Sequence, residues 1–592
     1  MNVQAPGIEA ETLKPRSAAI AWGDALAATA AIEKYPSQLL PHIIERLACD
    51  HGDAPALLSD TENFSFANLN ERMNQYANWA ISQGMKSGDC VALMLTNRPD
   101  YVAIWLGLSK LGIVTALINT SLTGNSLLHC LRIAKPRHII AEQQFVPTCG
   151  VCSNELKDAR VWNYVDILRQ QSIEAIVPVV GEPVVTIDDI ALLIYTSGTT
   201  GLPKAARISH RRILSWSLWF KGLLGNTPSD RMYDCLPLYH SVGGIVAVMA
   251  TLTAGGSTVI TGKFSASRFW DDVRRWDCTQ IQYIGELCRY LLNSPPGDTD
   301  GCGRLRLACG NGLRGDIWKP FQDRFSIPRI VEFYAATEGN FSLFNVEGKP
   351  GSIGRIPPYL RHRFPTAIVK YGAPGGQPAR GPDGFCIAVD PGEAGEALGR
   401  IGRGDGPGRF EGYTDESESE RKILRNVFAA GDAWFRTGDL MRFDAAGFFY
   451  FMDRIGDTFR WKGENVSTLE VANVLSGAPG VIDAVAYGVE VPGMDGRAGM
   501  ALVMADDRFD LRTFRKHAET QLPHYAIPVF LRIASEVAVT ETFKHKKTEL
   551  MADGFDPVGT AGCLYVWRNE TVRYEIIDAA IFEKIKAGLI RL

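Results

Sequence analysis

Several common signals are missing from the 592-residue sequence. There is no charge excess: 62 Lys and Arg stand against 66 Asp and Glu, a net charge of −4. A global basic field is therefore absent, and no nucleic-acid partner is expected. No repeat or long low-complexity tract occurs. With 46% hydrophobic and 22% charged residues, the composition excludes a disordered, collagen-like or coiled-coil chain. Paired cysteines are scarce too: the 12 cysteines are scattered, as in a reducing compartment. Cys149 and Cys152 form the one CxxC, with no second pair or histidine cluster beside them. They read as incidental thiols rather than zinc ligands.

A secretory leader is not expected either. Residues 1–31 start without a basic stretch, carry Glu9 and Glu11, and break their Ala-rich part with Asp24. One stretch, residues 235–262, reaches membrane-spanning length without formal charge if His240 is neutral. Gly243, Gly244, Gly255 and Gly256 interrupt it. The pattern predicts a buried helix over 245–253, a glycine turn and a buried strand over 257–261. The expected location is cytoplasmic, with peripheral membrane contact left open.

What is present is an alternation of short apolar strands and helical patterns. Residues 36–180 and 185–345 both show it, as in the helix-like 68–83 and the strand-like 90–95. Such alternation predicts an α/β fold with parallel-rich sheets covered by helices. A Gly/Pro-rich region at 350–412 predicts loops among short β-strands. Its run from Gly402 to Gly408 is a weak phosphate signal, because no helix start follows it. Past about residue 455 the pattern changes. Ser467-Thr-Leu-Glu470 is a capping box for a helix that Gly477 and Pro479 close. Strands near 481–489 and 499–504 and a helix over 510–522 follow, which together predict a small α+β unit.

The strongest chemical signal is Tyr195-Thr-Ser-Gly-Thr-Thr-Gly-Leu-Pro-Lys-Ala205. A buried strand (191–194) runs into a loop in which Gly198 and Gly201 let backbone N–H groups approach phosphate oxygens. Thr196, Ser197, Thr199 and Thr200 supply hydroxyl donors, and Lys204 supplies charge. A surface turn explains so many anion-binding groups in ten residues poorly. The spacing is not the Walker pattern, since a strand (205–208) follows before Ser209 caps a helix.

With this loop the chain resembles the adenylate-forming superfamily: acyl-CoA synthetases, adenylation domains and luciferases. Further motifs match in the family's order. In Tyr334-Ala-Ala-Thr-Glu-Gly339, the resemblance implies that Glu338 holds Mg²⁺, Thr337 contacts phosphate and Tyr334 packs on adenine. Gly310-Asn311-Gly312 resembles the adenine-edge loop. Asp439, in Phe435-Arg-Thr-Gly-Asp439, takes the ribose hydroxyls, and Arg454 contacts ribose or phosphate. The hinge of the small domain falls at Gly456, where most relatives carry Asp or Lys. Gly463 matches a loop that lines the thiol channel. In Thr540-Glu-Thr-Phe-Lys544-His-Lys-Lys547-Thr-Glu-Leu550, Phe543 replaces the usual glycine, and Lys544 is in register as the catalytic lysine, with Lys546 and Lys547 as neighbours. For His240, in Leu236-Pro-Leu-Tyr-His240, the resemblance implies a place at the border of the acyl pocket, where it helps position the carboxylate. Ile213, Trp216, Phe220 and Leu223 fall on one face of the helix after Ser209, a candidate pocket lining or plain core.

Gly456–Ser467, the Phe543-Lys544 pair and the tail after Leu550 resemble the fatty acid transport protein and very-long-chain acyl-CoA synthetase branch. The resemblance implies a large adenylation body (36–455), preceded by an N-terminal extension (1–35) and followed by a mobile C-terminal domain (456–592). It implies an acid-thiol ligase that uses ATP, Mg²⁺ and coenzyme A on a long- or very-long-chain fatty acid. Alternatives are a fatty acid adenylating ligase that loads a carrier protein, another carboxylic acid-CoA ligase, and a non-catalytic fatty acid binding or transport protein. Oligomeric state is not legible.

Overall fold

The computed structural model describes residues 16–592 except 157–158, 170, 175–183, 197–201, 298–299, 302, 374–375, 403–407, 463, 493, 495, 536–546, 559, 561 and 591. Two large sheets carry the body. One has eight strands, in the order Ser342–Asn345, Ile330–Ala335, Leu307–Asn311, Gln280–Ile284, Arg231–Asp234, Ser257–Ile260, Pro55–Leu58 and Asn63–Ser65. The six inner strands are parallel and each edge strand is antiparallel. The other has six, in the order Arg160–Asn163, His138–Ala141, Cys90–Met94, Val114–Leu117, Ile190–Thr196 and Lys204–Ser209. Its last strand alone runs antiparallel. Runs such as 190–194 are apolar throughout because helices cover both faces of a parallel sheet.

The stretch at 235–262 folds as a buried helix, a turn and a strand, and Ser257–Ile260 joins the middle of the eight-stranded sheet. The helix differs from the expectation at its start. Val242–Ala247 is a π-helical turn that continues as the α-helix Val248–Leu252. The glycines explain the tight fit: a Cβ on Gly244 would lie 1.9 Å from the Leu238 carbonyl oxygen. No described helix is long and apolar enough to cross a membrane. Cys149 and Cys152 are buried on the helix Val146–Ser153, and Cys149 Sγ meets Met94 Sδ at 3.5 Å.

The helix His210–Leu224 starts where Ser209 Oγ accepts from the Arg212 N–H. Ile213, Phe220 and Leu223 are buried on it, and Trp216 lies under the Arg212 guanidinium. The first helix, Ala18–Thr29, packs along it. Gly222 permits the contact, since a Cβ there would sit 2.5 Å from the Asp24 carbonyl oxygen. Trp22 then places its ring edge-on to Trp219, Phe344 and Phe364, 5.6–5.7 Å between centroids. Each such pair contributes about 0.5–1.5 kcal/mol beyond area burial.

The Gly/Pro-rich region forms an antiparallel sheet that includes Thr366–Ala373, Gly395–Arg400, Ala433–Phe443 and Phe449–Arg454. Beyond it, Val481–Glu490, Arg497–Ala505, Phe530–Ile533, Cys563–Arg568 and Arg573–Ile576 form a five-stranded sheet with its own apolar core. The helix Thr468–Ser476 packs on that sheet, and Ser467 caps it as its sequence predicts.

Candidate active site

The parallel strands Leu307–Asn311 and Ile330–Ala335 end side by side. In open α/β sheets this carboxyl edge is where ligands bind. Asn311 closes the first strand, and Gly312 turns away with φ +84°, a conformation that excludes most side chains. Asn311 Oδ1 is buried there with no hydrogen-bond partner. On the second strand, Tyr334 donates its hydroxyl to Asp439 Oδ2. Its ring packs edge-on to Phe341 at 5.6 Å and parallel to Phe451 at 6.4 Å. Arg454 Nε stands 3.8 Å from Asp439 Oδ1. Burial and the adjoining Asp439 carboxylate push the Tyr334 phenol far up, so it stays a neutral donor.

Glu338 is held from another direction. The Tyr413 hydroxyl donates to Glu338 Oε1 at 2.8 Å, and Lys422 Nζ lies 3.8 Å from the same oxygen. The Tyr413 side chain also hydrogen-bonds Thr196, so the first residue of the Thr/Ser-rich loop and Glu338 share one phenol. Lys204 pairs with Glu418, 6.0 Å from the Tyr413 ring centroid. Tyr413 reaches this point because its segment runs antiparallel to Lys204–Ser209: Arg207 N–H donates to the Gly412 carbonyl and Thr414 N–H to that of Ala205. Thr337 is fixed twice. Its carbonyl accepts from Arg212 Nη1 at 2.8 Å, and its hydroxyl meets Ser241 Oγ at 3.2 Å. Arg212 is buried, which lowers its pKa, against the nearby Glu411 and Glu338 carboxylates that favour its charge.

Thr196, Lys204, Tyr334, Thr337, Glu338, Asp439 and Arg454 therefore come together in one region, with Asn311 and Gly312 at the end of the neighbouring strand. His240 begins the turn into the π-helical segment, its ring 4.6 Å from that of Tyr239, and Ser241 beside it links this loop to Thr337. Ser197, Gly198, Thr199, Thr200, Gly201, Gly463 and Lys544 lie outside the described residues. Lys547, three residues beyond Lys544, donates to Thr468 Oγ1 at 2.7 Å and pairs with Asp457 at 3.3 Å. The sequence reading missed Tyr413, Arg212, Lys422 and Glu411. Tyr413 follows Gly412 in a loop-like stretch, and its link to Glu338 spans 75 residues, so no local periodicity announces it.

Among the described residues no group of three or more His, Cys, Asp or Glu side chains could hold a metal. Glu338 would act as a single carboxylate ligand, which suits Mg²⁺, an ion usually bound by one or two carboxylates plus substrate phosphates.

Known proteins resemble the chain at both levels. Residues 44–363 match the AMP-binding enzyme family, and residues 470–544 match the AMP-binding enzyme C-terminal domain. Long-chain fatty acid transport protein 1 of Mus musculus is 40% identical over 566 residues, 93% of this chain and 88% of that protein. Long-chain fatty acid transport protein 2 of Rattus norvegicus is 38% identical over 578 residues, 93% and 91% of the two chains. Among solved structures, an anthranilate CoA ligase in complex with anthranoyl-AMP superposes with a TM-score of 0.74 at 22% identity, over 87% of this chain and 97% of that one. A benzoate CoA ligase from Burkholderia xenovorans LB400 gives 0.73 at 19% identity, over 87% and 100%. At such identities the structures show a shared fold, that of adenylate-forming enzymes. The chain belongs to the AMP-binding enzyme family, in the branch of the long-chain fatty acid transport proteins.

Proposed function

We propose that the protein activates a long- or very-long-chain fatty acid with ATP, through an acyl-adenylate, and transfers the acyl group to coenzyme A with release of AMP and pyrophosphate. The observation that carries this reading is the convergence of Thr196, Glu338 and Asp439 around one cleft. Tyr413 joins the first two, and Tyr334 orients the third. Asp439 would accept the ribose hydroxyls, with Arg454 beside it. Thr196, Thr337 and Lys204 flank the phosphates, together with Ser197, Gly198, Thr199, Thr200 and Gly201. Mg²⁺, held by Glu338, would neutralise phosphate charge.

A carboxylate oxygen attacks the α-phosphorus in line with pyrophosphate, and the P–O bond to pyrophosphate breaks as the acyl–O–P bond forms. Lys544 offsets the charge that builds on the phosphorus, and His240 positions the carboxylate. The protein's share is orientation and electrostatics, with no covalent enzyme intermediate. The small domain then turns at Gly456, Lys544 leaves, and the Gly463 loop enters so that the thiol displaces AMP. The long acyl chain is read from the branch the chain belongs to. Each buried CH₂ adds about 0.8 kcal/mol, so pocket depth sets the preferred length. Cytoplasmic location with peripheral membrane contact belongs to the same proposal.

Purified protein with ATP, Mg²⁺, coenzyme A and a fatty acid panel tests it by following AMP and acyl-CoA. Acid-dependent AMP matched by acyl-CoA is expected. AMP formed without any dependence on coenzyme A would point to another acceptor, and no turnover to a binding protein.

A further inference from the structure

Glu332 is a carboxyl group in a strand where charge does not belong. It sits in Ile330–Ala335, the strand next to one edge of the eight-stranded sheet, parallel to Leu307–Asn311 and antiparallel to Ser342–Asn345, and is 1% exposed. Its side chain points under the neighbouring strand's exit. Glu332 accepts the backbone N–H of Gly312 and, at 3.1 Å, that of Leu313, both on Oε1. Oε2 accepts the Tyr283 hydroxyl at 2.5 Å. The same turn is clamped from its other side, because a Cβ on Gly285 would lie 1.7 Å from the Gly312 carbonyl oxygen. The turn is thus pinned by backbone contacts, and Glu332 is the side chain that holds its two N–H groups. One residue earlier, Asn311 Oδ1 is buried and unpartnered. An acceptor left in that state has an unmet demand for a donor. The exocyclic amine of adenine is such a donor, whereas the corresponding atom of hypoxanthine is an acceptor.

We infer that Glu332 is a positioning residue for base selection: by fixing Gly312 and Leu313 it aims Asn311 Oδ1 at the 6-amino group of the nucleotide. The inference rests on the proposed use of ATP in this cleft. Burial pushes the Glu332 carboxyl up to about 8, with its three donors opposing the shift, so at neutral pH it is largely uncharged. A glutamine of the same shape should then serve nearly as well. It keeps an acceptor for the two N–H groups and can donate to the Tyr283 oxygen.

The test compares AMP or IMP formation from ATP and from inosine triphosphate in the full-length enzyme. Wild type should prefer ATP, and Glu332→Gln should keep that preference. Glu332→Leu, which has no acceptor, should raise KM for ATP about tenfold or more, as expected for losing two buried hydrogen bonds. Its KM for inosine triphosphate and for the fatty acid, and its kcat, should stay near wild type, so base selectivity narrows. Tyr283→Phe removes one donor and should shift selectivity in the same direction by less, which keeps the question decidable if the leucine variant does not fold. An unchanged preference in both Glu332→Leu and Tyr283→Phe would overturn the inference, as would equal damage in Glu332→Gln and Glu332→Leu. Failure of the wild type to form AMP would instead overturn the proposed function, and is read from the unsubstituted chain.

Discussion

In the candidate active site, Glu338 and Asp439 each accept a tyrosine hydroxyl, while Lys422 and Arg454 stand at 3.8 Å. Where the body meets the small C-terminal sheet, charge is arranged otherwise. Arg289, on the body helix Gly285–Asn293, takes Asp483 of the strand Val481–Glu490 in a two-armed pair, with 2.7 Å on one arm, and Glu286 joins it. Both partners have side-chain exposures of 6–7%. Arg314 adds bonds to the Asn473 carbonyl at 3.3 Å and to Ser476 Oγ at 3.5 Å. The junction places full opposite charges in direct contact, out of water. Glu338 and Asp439 instead each accept a phenol hydroxyl and pair with Lys422 and Arg454 at the longer distance of 3.8 Å. Burial and ion pairing alone therefore do not mark a functional site.

The contrast can be broken most forcefully at the junction. Arg289→Met would leave Asp483 buried beside Glu286. Removing one member of such a pair costs about 3–5 kcal/mol, so chemical unfolding should show a large loss while KM for ATP in the surviving native protein changes little. In the cleft the effects should reverse. Lys544→Ala is expected to lose about 2.7–4 kcal/mol of transition-state stabilisation in acyl-AMP formation, roughly 10²–10³ in rate, yet still to make the thioester from supplied acyl-AMP. Survival of both half-reactions would show that another lysine does this work. Tyr413→Phe removes the hydroxyl that donates to Glu338 and accepts from Thr196, and should lower kcat/KM for ATP by the equivalent of about 1.5–3 kcal/mol, the worth of a hydrogen bond to a charged group, with unfolding nearly unchanged.

The smallest effect concerns pH. The folded Glu332 carboxyl lies near 8 against an ordinary 4.5, and its neighbours Tyr283, Cys288 and Cys309 are themselves pushed up by burial and stay neutral. A raised acid pKa means that unfolding releases a proton above the unfolded value. The associated stability is present in full below 4.5 and is lost as pH rises through about 8. Denaturant midpoints taken from about pH 6 to about pH 9 should fall less in Glu332→Gln than in wild type. Parallel profiles would mean that the carboxyl does not titrate there.

Much of the cleft was legible in the chain because its chemistry is packed into short, contiguous motifs. The Thr196–Lys204 loop leaves a strand and returns as a strand, as its spacing predicts, and Tyr334 and Glu338 lie in one short run at and just past the end of Ile330–Ala335, with Asp439 on Ala433–Phe443. Tyr413, Lys422 and Arg212 were not legible, because their roles arise only when the antiparallel sheet folds back on the Lys204–Ser209 strand. Glu332 is different: a carboxyl inside Ile330–Ala335, an apolar run, was a visible anomaly, since strands of this kind are buried on both faces. Its partners were hidden in two neighbouring strands. The π-helical start at Val242 was hidden for a related reason. Glycine pairs signal a turn in sequence, whereas here they let a helix press on the Leu238 backbone.

The central claim is attack of a fatty carboxylate on the α-phosphorus of ATP, and isotope transfer tests it most directly. With a long-chain fatty acid labelled by ¹⁸O in its carboxyl group, one labelled oxygen should appear in the phosphate of the released AMP. AMP without label, or label in inorganic phosphate accompanied by ADP, would contradict the account.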